Sequence, residues 1–227
     1  MGLTTLFILN FATMIAFNQF SEELRHRLKH SPLPGISVQL KMAPPSRRVE
    51  IERKPNQTPR NSAVLICFFP KNGEAHLIMI KRAVDETVHS GQIAFPGGKA
   101  EKEDTSLEDT ALRETFEEVG IQPQQIEIIG KLSDLYIPPS NFLVTPFVGI
   151  LQEEPHITLN YEVERVLIIP LSDLMNQANC MEKTISIRSI QLQVPCYTLD
   201  GEIIWGASSM MLAELLEVLN LPQKSFT

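Results

Sequence analysis

Apolar positions over residues 61–221 come in short blocks broken by turn formers, with two stretches of three- and four-residue spacing between them. The first block, AVLICFF at 63–69, is bounded by Pro70 and Asn72-Gly73, and HLIMIK at 76–81 follows at once. Two apolar runs joined across an Asn-Gly pair predict a β-hairpin. Further runs at 126–129, 144–151, 166–169, 185–194 and 203–204 predict strands, and 171–176 a helical turn. Helical spacing covers 105–119, ended by Gly120 as a left-handed cap. It returns over 208–220, where Met211, Leu212, Leu215, Leu216 and Leu219 share one face. Strands with helices inserted between them predict an α+β fold, an α/β/α sandwich around a mixed β-sheet.

Upstream, residues 20–30 predict a short helix: Ser21 as N-cap, Glu22 and Glu23 in the first turn, basic residues at the end. Pro32 and Pro34-Gly35 stop it, and the Pro-, Arg- and Lys-rich stretch to Pro59 predicts an extended arm. Residues 3–17 are apolar but short for a membrane span, with no Lys or Arg before them and no small-x-small cleavage site after. Met14 is an internal methionine from which a sensible amphipathic start follows. The expectation is an over-extended or disordered N-terminus in a cytoplasmic protein; membrane contact through this segment is the lesser reading. The expected organisation is an apolar extension over 1–19, a helix and Pro-rich arm over 20–60, and the main domain over 61–221.

Charge and cysteines narrow the partners. Twenty basic and 27 acidic side chains give a net charge of −7, against a nucleic-acid surface but not against a small phosphorylated substrate. Cys67, Cys180 and Cys196 are widely spaced, without a CxxC pair, so neither a disulfide framework nor a zinc site is expected. His76 and His89 have no second ligand at metal spacing and read as surface or structural residues. Ser140 reads as a turn cap, and Trp205 as a core or lid residue.

The informative stretch is GGKAEKEDTSLEDTALRETFEEVGI at 97–121. Leu107, Ala111, Leu112, Thr115 or Phe116, and Val119 form its sheet-facing side. Glu114 and Glu118 are four apart, and Glu117 lies one turn from Glu114. Carboxylates converging at this spacing repel one another unless a cation sits among them, and a hard divalent ion such as Mg²⁺ or Mn²⁺ answers that need. Gly97-Gly98 can bring a carbonyl oxygen within reach, and Arg113 is placed to brace a glutamate.

GG…ALRETFEEVGI resembles the Nudix box, G-x5-E-x7-R-E-U-x-E-E-x-G-U with U bulky and apolar. Arg113, Glu114, Glu117, Glu118, Gly120 and Ile121 match its right half. The left half departs: fourteen residues separate Gly98 from Arg113 where the strict box has thirteen, and Asp104 stands for the early Glu. GQIAFPGGK at 91–99 carries the same one-residue excess as the coenzyme A diphosphatase branch, and IMIKRA at 78–83 is similar to the start of that branch's upstream signature. Thr87 stands where the signature has its second Arg. IPPSNF with VTPF at 137–147, EVERVLIIPL at 162–171 and IWGA at 204–207 also resemble that branch.

The resemblance implies a Nudix-type sandwich and a metal-dependent hydrolase that splits coenzyme A or a derivative into 3′,5′-ADP and 4′-phosphopantetheine. ADP-ribose or another nucleoside diphosphate derivative is the alternative substrate, and a non-catalytic nucleotide-binding module a third reading. The metal ligands it implies are Glu114, Glu118, Glu117 and the carbonyl of Gly98. Glu117, Glu118 and Arg113 carry the catalytic expectation, Glu117 either as ligand or as the group that orients water. Arg82, Lys99 and Gly97 are expected at the substrate. The general base is open between a box glutamate and a loop residue, with Glu162 or Glu164 as candidates. The expected partners are a small nucleotide and, as the fold often dimerises, a second copy through the arm.

Overall fold

Strand β1 (Arg60–Lys71) is apolar without interruption from Ala63 to Phe69 because both of its faces are covered there. Ala63, Leu65, Cys67 and Phe69 join Ile78 and Ile80 of β2 (Glu74–Arg82) beneath helix α4 (Leu107–Val119). Ile66 and Phe68 join Leu77 and Met79 beneath helices α1 (Leu3–His30) and α6 (Ala207–Asn220). Side chains alternating to two buried faces turn a polar–apolar alternation into a continuous apolar run. The computed structural model describes residues 3–45, 48–52, 57–83, 91–187 and 190–220, with the backbone alone over 3–15 and at 49, 52, 187 and 190.

Between α1 and β1 lie α2 (Ile36–Gln39) and α3 (Arg48–Glu52). After β2 come β3 (Ile93–Ala94), β4 (Gly97–Lys99), α4, β5 (Glu127–Lys131), β6 (Leu135–Ile137), β7 (Phe142–Ile150), β8 (Val163–Pro170) and α5 (Leu171–Met175). β9 (Cys180–Ile187), β10 (Ile190–Leu199) and β11 (Glu202–Trp205) lead into α6. The main sheet is mixed: β1 and β7 run parallel from Arg60↔Phe142 to Phe68↔Ile150, and its other pairings are antiparallel. The expected β1–β2 hairpin is present, but the strands pair only from Phe68↔Leu77 to Lys71↔Glu74. Beyond that they splay, and a wedge of chain fills the gap: β3 pairs Ile80↔Ala94 on β2, and β4 pairs Ala63↔Gly98 on β1. β9, β10 and β11 form a separate three-stranded antiparallel sheet.

Three expectations need correction. Residues 185–194 are not one strand, because the chain reverses between Ile187 and Ile190, which pair with each other. The alternation TISIRSIQLQV runs straight through the reversal with no Gly, Pro or Asn to mark it. The helix expected over 20–30 begins instead at Leu3, and Phe17 and Leu24 on it are buried. Phe20 meets the Phe68 ring edge-on at 5.2 Å, and Arg25 pairs with Glu127 at 2.8 Å. Among the described residues no helix is long and apolar enough to cross a membrane. The segment expected as an extended arm is partly helical and buries Val38, Gln39, Met42 and Ala43.

A buried carboxyl group ties that segment down. Glu214 on α6 is 0% exposed, and its Oε1 accepts from the Gly35 and Ser133 N–H groups at 3.0 and 3.3 Å. Its Oε2 accepts from Gln39 Nε2 at 2.7 Å, and the same amide donates to the Ser133 carbonyl at 3.2 Å. Removing a buried acceptor leaves its donors unpaired, so Glu214→Ala is expected to cost about 3 kcal/mol in urea unfolding. An unchanged unfolding midpoint would show that this junction contributes nothing to stability.

Candidate active site

Helix α4 begins at Leu107, two residues later than its spacing predicts, because Ser106 caps it: the hydroxyl accepts from the Asp109 N–H at 3.1 Å. It ends on Gly120, whose φ of 76° is the left-handed cap conformation. Thr115, not Phe116, faces the sheet, and its hydroxyl is satisfied by the Ala111 carbonyl at 2.7 Å. Phe116 is exposed. The buried face of α4 also carries a carboxylate, Glu118, only 1% exposed.

Glu118 reaches the wedge. Its Oε2 accepts from the Gly97 N–H at 2.9 Å, and its Oε1 accepts from Arg82 Nη1 at 3.1 Å. Arg82 also stands 3.6 Å from Glu162. Glu114, one turn earlier on α4, lies against Gly98: a Cβ there would sit 2.4 Å from its Oε1. A Cβ on Gly97, at φ 152°, would fall 2.4 Å from the Ala63 carbonyl oxygen. The pair therefore allows β4 to lie between strand β1 and two carboxylates: at Gly97 the β1 backbone leaves no room for a Cβ, and at Gly98 a Cβ would displace the Glu114 carboxylate.

Arg113 organises the outer side of the cluster. Its Nη1 donates to Glu114 and Glu117 at 3.1 Å each, and its Nη2 to the Lys99 carbonyl at 3.2 Å. Behind it, Asp104 accepts from Arg113 Nε at 2.8 Å and Nη2 at 3.0 Å, and also from Thr110 Oγ1 and the Glu101 N–H. The Asp104 carboxyl is held far below the usual carboxylate range, chiefly by its hydrogen bonds from Arg113. Asp104 thus orients Arg113, a role the sequence pattern did not assign to it.

The opposite shift marks the inner glutamates. Burial pushes the Glu118 carboxyl up to about 7 against the pull of the Gly97 N–H and Arg82, with Glu114 and Glu162 adding to the rise. Burial also raises Glu114 against Arg113, and Glu117 and Glu162 reinforce it. Among the described residues no three His, Cys, Asp or Glu side chains close up tightly enough to enclose an ion; Arg82 and Arg113 counter the carboxylates instead. The donor chemistry nevertheless suits a hard divalent cation: carboxylate oxygens that resist sharing negative charge, beside a glycine backbone.

The predicted residues mostly meet here. Arg82, Gly97, Gly98, Arg113, Glu114, Glu117 and Glu118 form one cluster; Lys99 contributes its carbonyl, while its side chain is exposed. Of the two candidate bases, Glu162 stands beside Arg82, whereas Glu164 pairs with Lys81 at 3.2 Å instead. His76 is a buried structural residue against Phe69, and Ser140 ends a short turn. Thr87 and His89 lie outside the described residues. Cys67 and Cys196 are buried and Cys180 is exposed.

Beside the cluster opens a cavity of about 450 Å³ that the sequence did not announce. Arg82, Gly97, Gly98 and Lys99 line the side next to the carboxylates; Leu135, Ile137, Phe142, Trp205 and Met210 line much of the rest. Trp205 is therefore a wall residue of this cavity.

Comparison with known proteins identifies the family. The NUDIX domain family model matches residues 59–186. A Photorhabdus laumondii protein named uncharacterized Nudix hydrolase NudL is 32% identical over 182 residues, 79% of this chain and 92% of that one. Nudix hydrolase 3 of Caenorhabditis elegans is 34% identical over 179 residues, 70% of this chain and 74% of that protein. Among solved structures, the M. smegmatis Nudix hydrolase RenU is 14% identical and covers 81% of this chain and 97% of its own, at a TM-score of 0.48. With the box residues on α4, the family model over 59–186 and relatives of 32% and 34% identity, the chain belongs to the Nudix hydrolase family.

Proposed function

We propose that the enzyme hydrolyses the diphosphate bond of coenzyme A or one of its derivatives, giving 3′,5′-ADP and 4′-phosphopantetheine. The observation that carries this reading is the junction at Gly97–Gly98, with the glutamate cluster on one side and the large, mainly apolar cavity on the other. A substrate whose diphosphate sits at the junction has room in the cavity for a long non-nucleotide arm. The GQIAFPGGK stretch, which forms β3, β4 and the turn between them, supports the same branch through its resemblance. With a net charge of −7, the partner is a small nucleotide and not a nucleic acid, and the cytoplasm is the proposed site of action.

Glu114 and Glu118, with Glu117 and the Gly98 carbonyl, would hold Mg²⁺ or Mn²⁺. When bound, the ion supplies neutralisation of the diphosphate and activation of a water. Arg82 and Lys99, both lining the cavity, attract phosphate oxygens. Arg113, held by Asp104, keeps Glu114 and Glu117 in position. The water oxygen forms a bond to phosphorus as the bridging P–O bond breaks, and its proton passes to a box glutamate or to Glu162.

Incubation with coenzyme A and Mg²⁺ or Mn²⁺ is expected to release 3′,5′-ADP on chromatography, with kcat falling at least about 100-fold in Glu118→Gln. Preferential cleavage of ADP-ribose, with coenzyme A left intact, would overturn the substrate assignment. Asp104→Asn removes the charge that orients Arg113 and is expected to lower kcat by about 10-fold, the lower end of the effect of losing such a supporting partner. Wild-type kcat in that variant would mean that Arg113 does not need the anchor.

A further inference from the structure

The matched family region ends at residue 186, yet one wall of the cavity comes from beyond it: Leu192 on β10, Trp205 on β11, and Ser208, Met210 and Met211 on α6. Besides apolar packing, polar contacts at two places tie that wall to the main sheet. At the start of α6, the Ser208 hydroxyl donates to the Ile93 carbonyl on β3 at 2.9 Å. At the start of β11, Glu202 pairs with Lys81 on β2 at 3.3 Å and with Arg165 on β8. Lys81 and Arg165 are direct cross-strand partners, and like charges facing each other repel. Glu202 sits between them, 20% exposed, with Glu164 taking the other side of Lys81 at 3.2 Å. Three residues after Glu202, the same four-residue strand delivers Trp205 to the cavity.

Resting on the coenzyme A reading, we propose that residues 190–211 form a specificity wall and that Glu202 is its positioning residue, holding Trp205 in place so that the cavity accepts an apolar group at the end of the substrate's non-nucleotide arm. The lining supports an apolar occupant. Away from Arg82 and Lys99 the cavity is bounded by residues such as Ile137, Val144, Phe142, Trp205, Met210 and Met211, which reward burial of hydrocarbon and leave polar groups unpaired. Methionines add adaptability to chains of different length. Glu202 touches neither the carboxylate cluster nor the cavity, so its effect runs through the wall.

The experiment compares wild type, Glu202→Ala, Glu202→Asp and the milder Arg165→Gln. Trp205 is the only tryptophan, so acrylamide quenching of its emission reads the wall directly, without any substrate. KM and kcat are then measured with Mg²⁺ or Mn²⁺ for coenzyme A and for octanoyl-coenzyme A. In Glu202→Ala the quenching constant is expected to rise about twofold and the KM for the octanoyl form about fivefold more than that for coenzyme A, with kcat within about twofold. Glu202→Asp keeps the charge and is expected to recover much of both, and Arg165→Gln to shift both in the Ala direction by less. Unchanged quenching in Glu202→Ala overturns the positioning role, and equal KM changes for the two substrates overturn the specificity role. If neither coenzyme A form is cleaved, the coenzyme A reading fails, while quenching still decides what Glu202 does.

Discussion

The approach of Glu114 to the backbone of Gly98 is the constraint around which the rest of the site is arranged. It combines a strand with no side chain at that position and a helix whose register brings a carboxylate down onto it. Both conditions depend on β1 and β2 parting after Phe68↔Leu77, since only then can β3 and β4 enter the sheet between them. α4 docks over Ala63, Leu65 and Ile78 through Ala111 and Val119, which fixes its height above the wedge. The apolar packing thus sets where the polar chemistry sits.

Electrostatics then works against the packing. Burial raises Glu118 and Glu114; Glu162 raises both further, Glu114 adds to the rise of Glu118 and Glu117 to that of Glu114, so the fold holds together groups that favour losing their charge. Two arginines on different sides contain the strain: Arg82 from β2 on Glu118, and Arg113 on Glu114 and Glu117. Asp104, tucked behind Arg113, keeps that guanidinium aimed. A cluster balanced in this way gains from a bound cation, and Arg82, Arg113 and Asp104 keep its carboxylates in position.

Much of this was legible in the sequence because it is local. The Asn72-Gly73 turn, the spacing of Glu114 and Glu118, and the Gly120 cap are each set by a few neighbouring residues, and each is where the pattern put it. Ser106 displaced the start of α4 by two residues because a capping hydroxyl outcompetes periodicity at a helix end. What could not be read was long-range. Glu214 looks like an ordinary residue of an amphipathic helix, and only the fold brings Gly35, Gln39 and Ser133 onto it. The β9–β10 reversal carries no turn residues, and the cavity gathers side chains as far apart as Pro44 and Met211. Arg82 was singled out for phosphate, and its contact with Glu118, 36 residues away, needed the wedge to be seen.

The most direct test of the glycine constraint is the affinity for Mn²⁺ of wild type and Gly98→Ala, followed by the electron paramagnetic resonance signal of the free ion. A methyl group 2.4 Å from the Glu114 carboxylate must push it aside, and the account predicts a loss of affinity of about 10-fold or more with the fold retained. Equal Mn²⁺ affinity in the two proteins would contradict it, because the carboxylate would then not depend on the bare backbone beneath it.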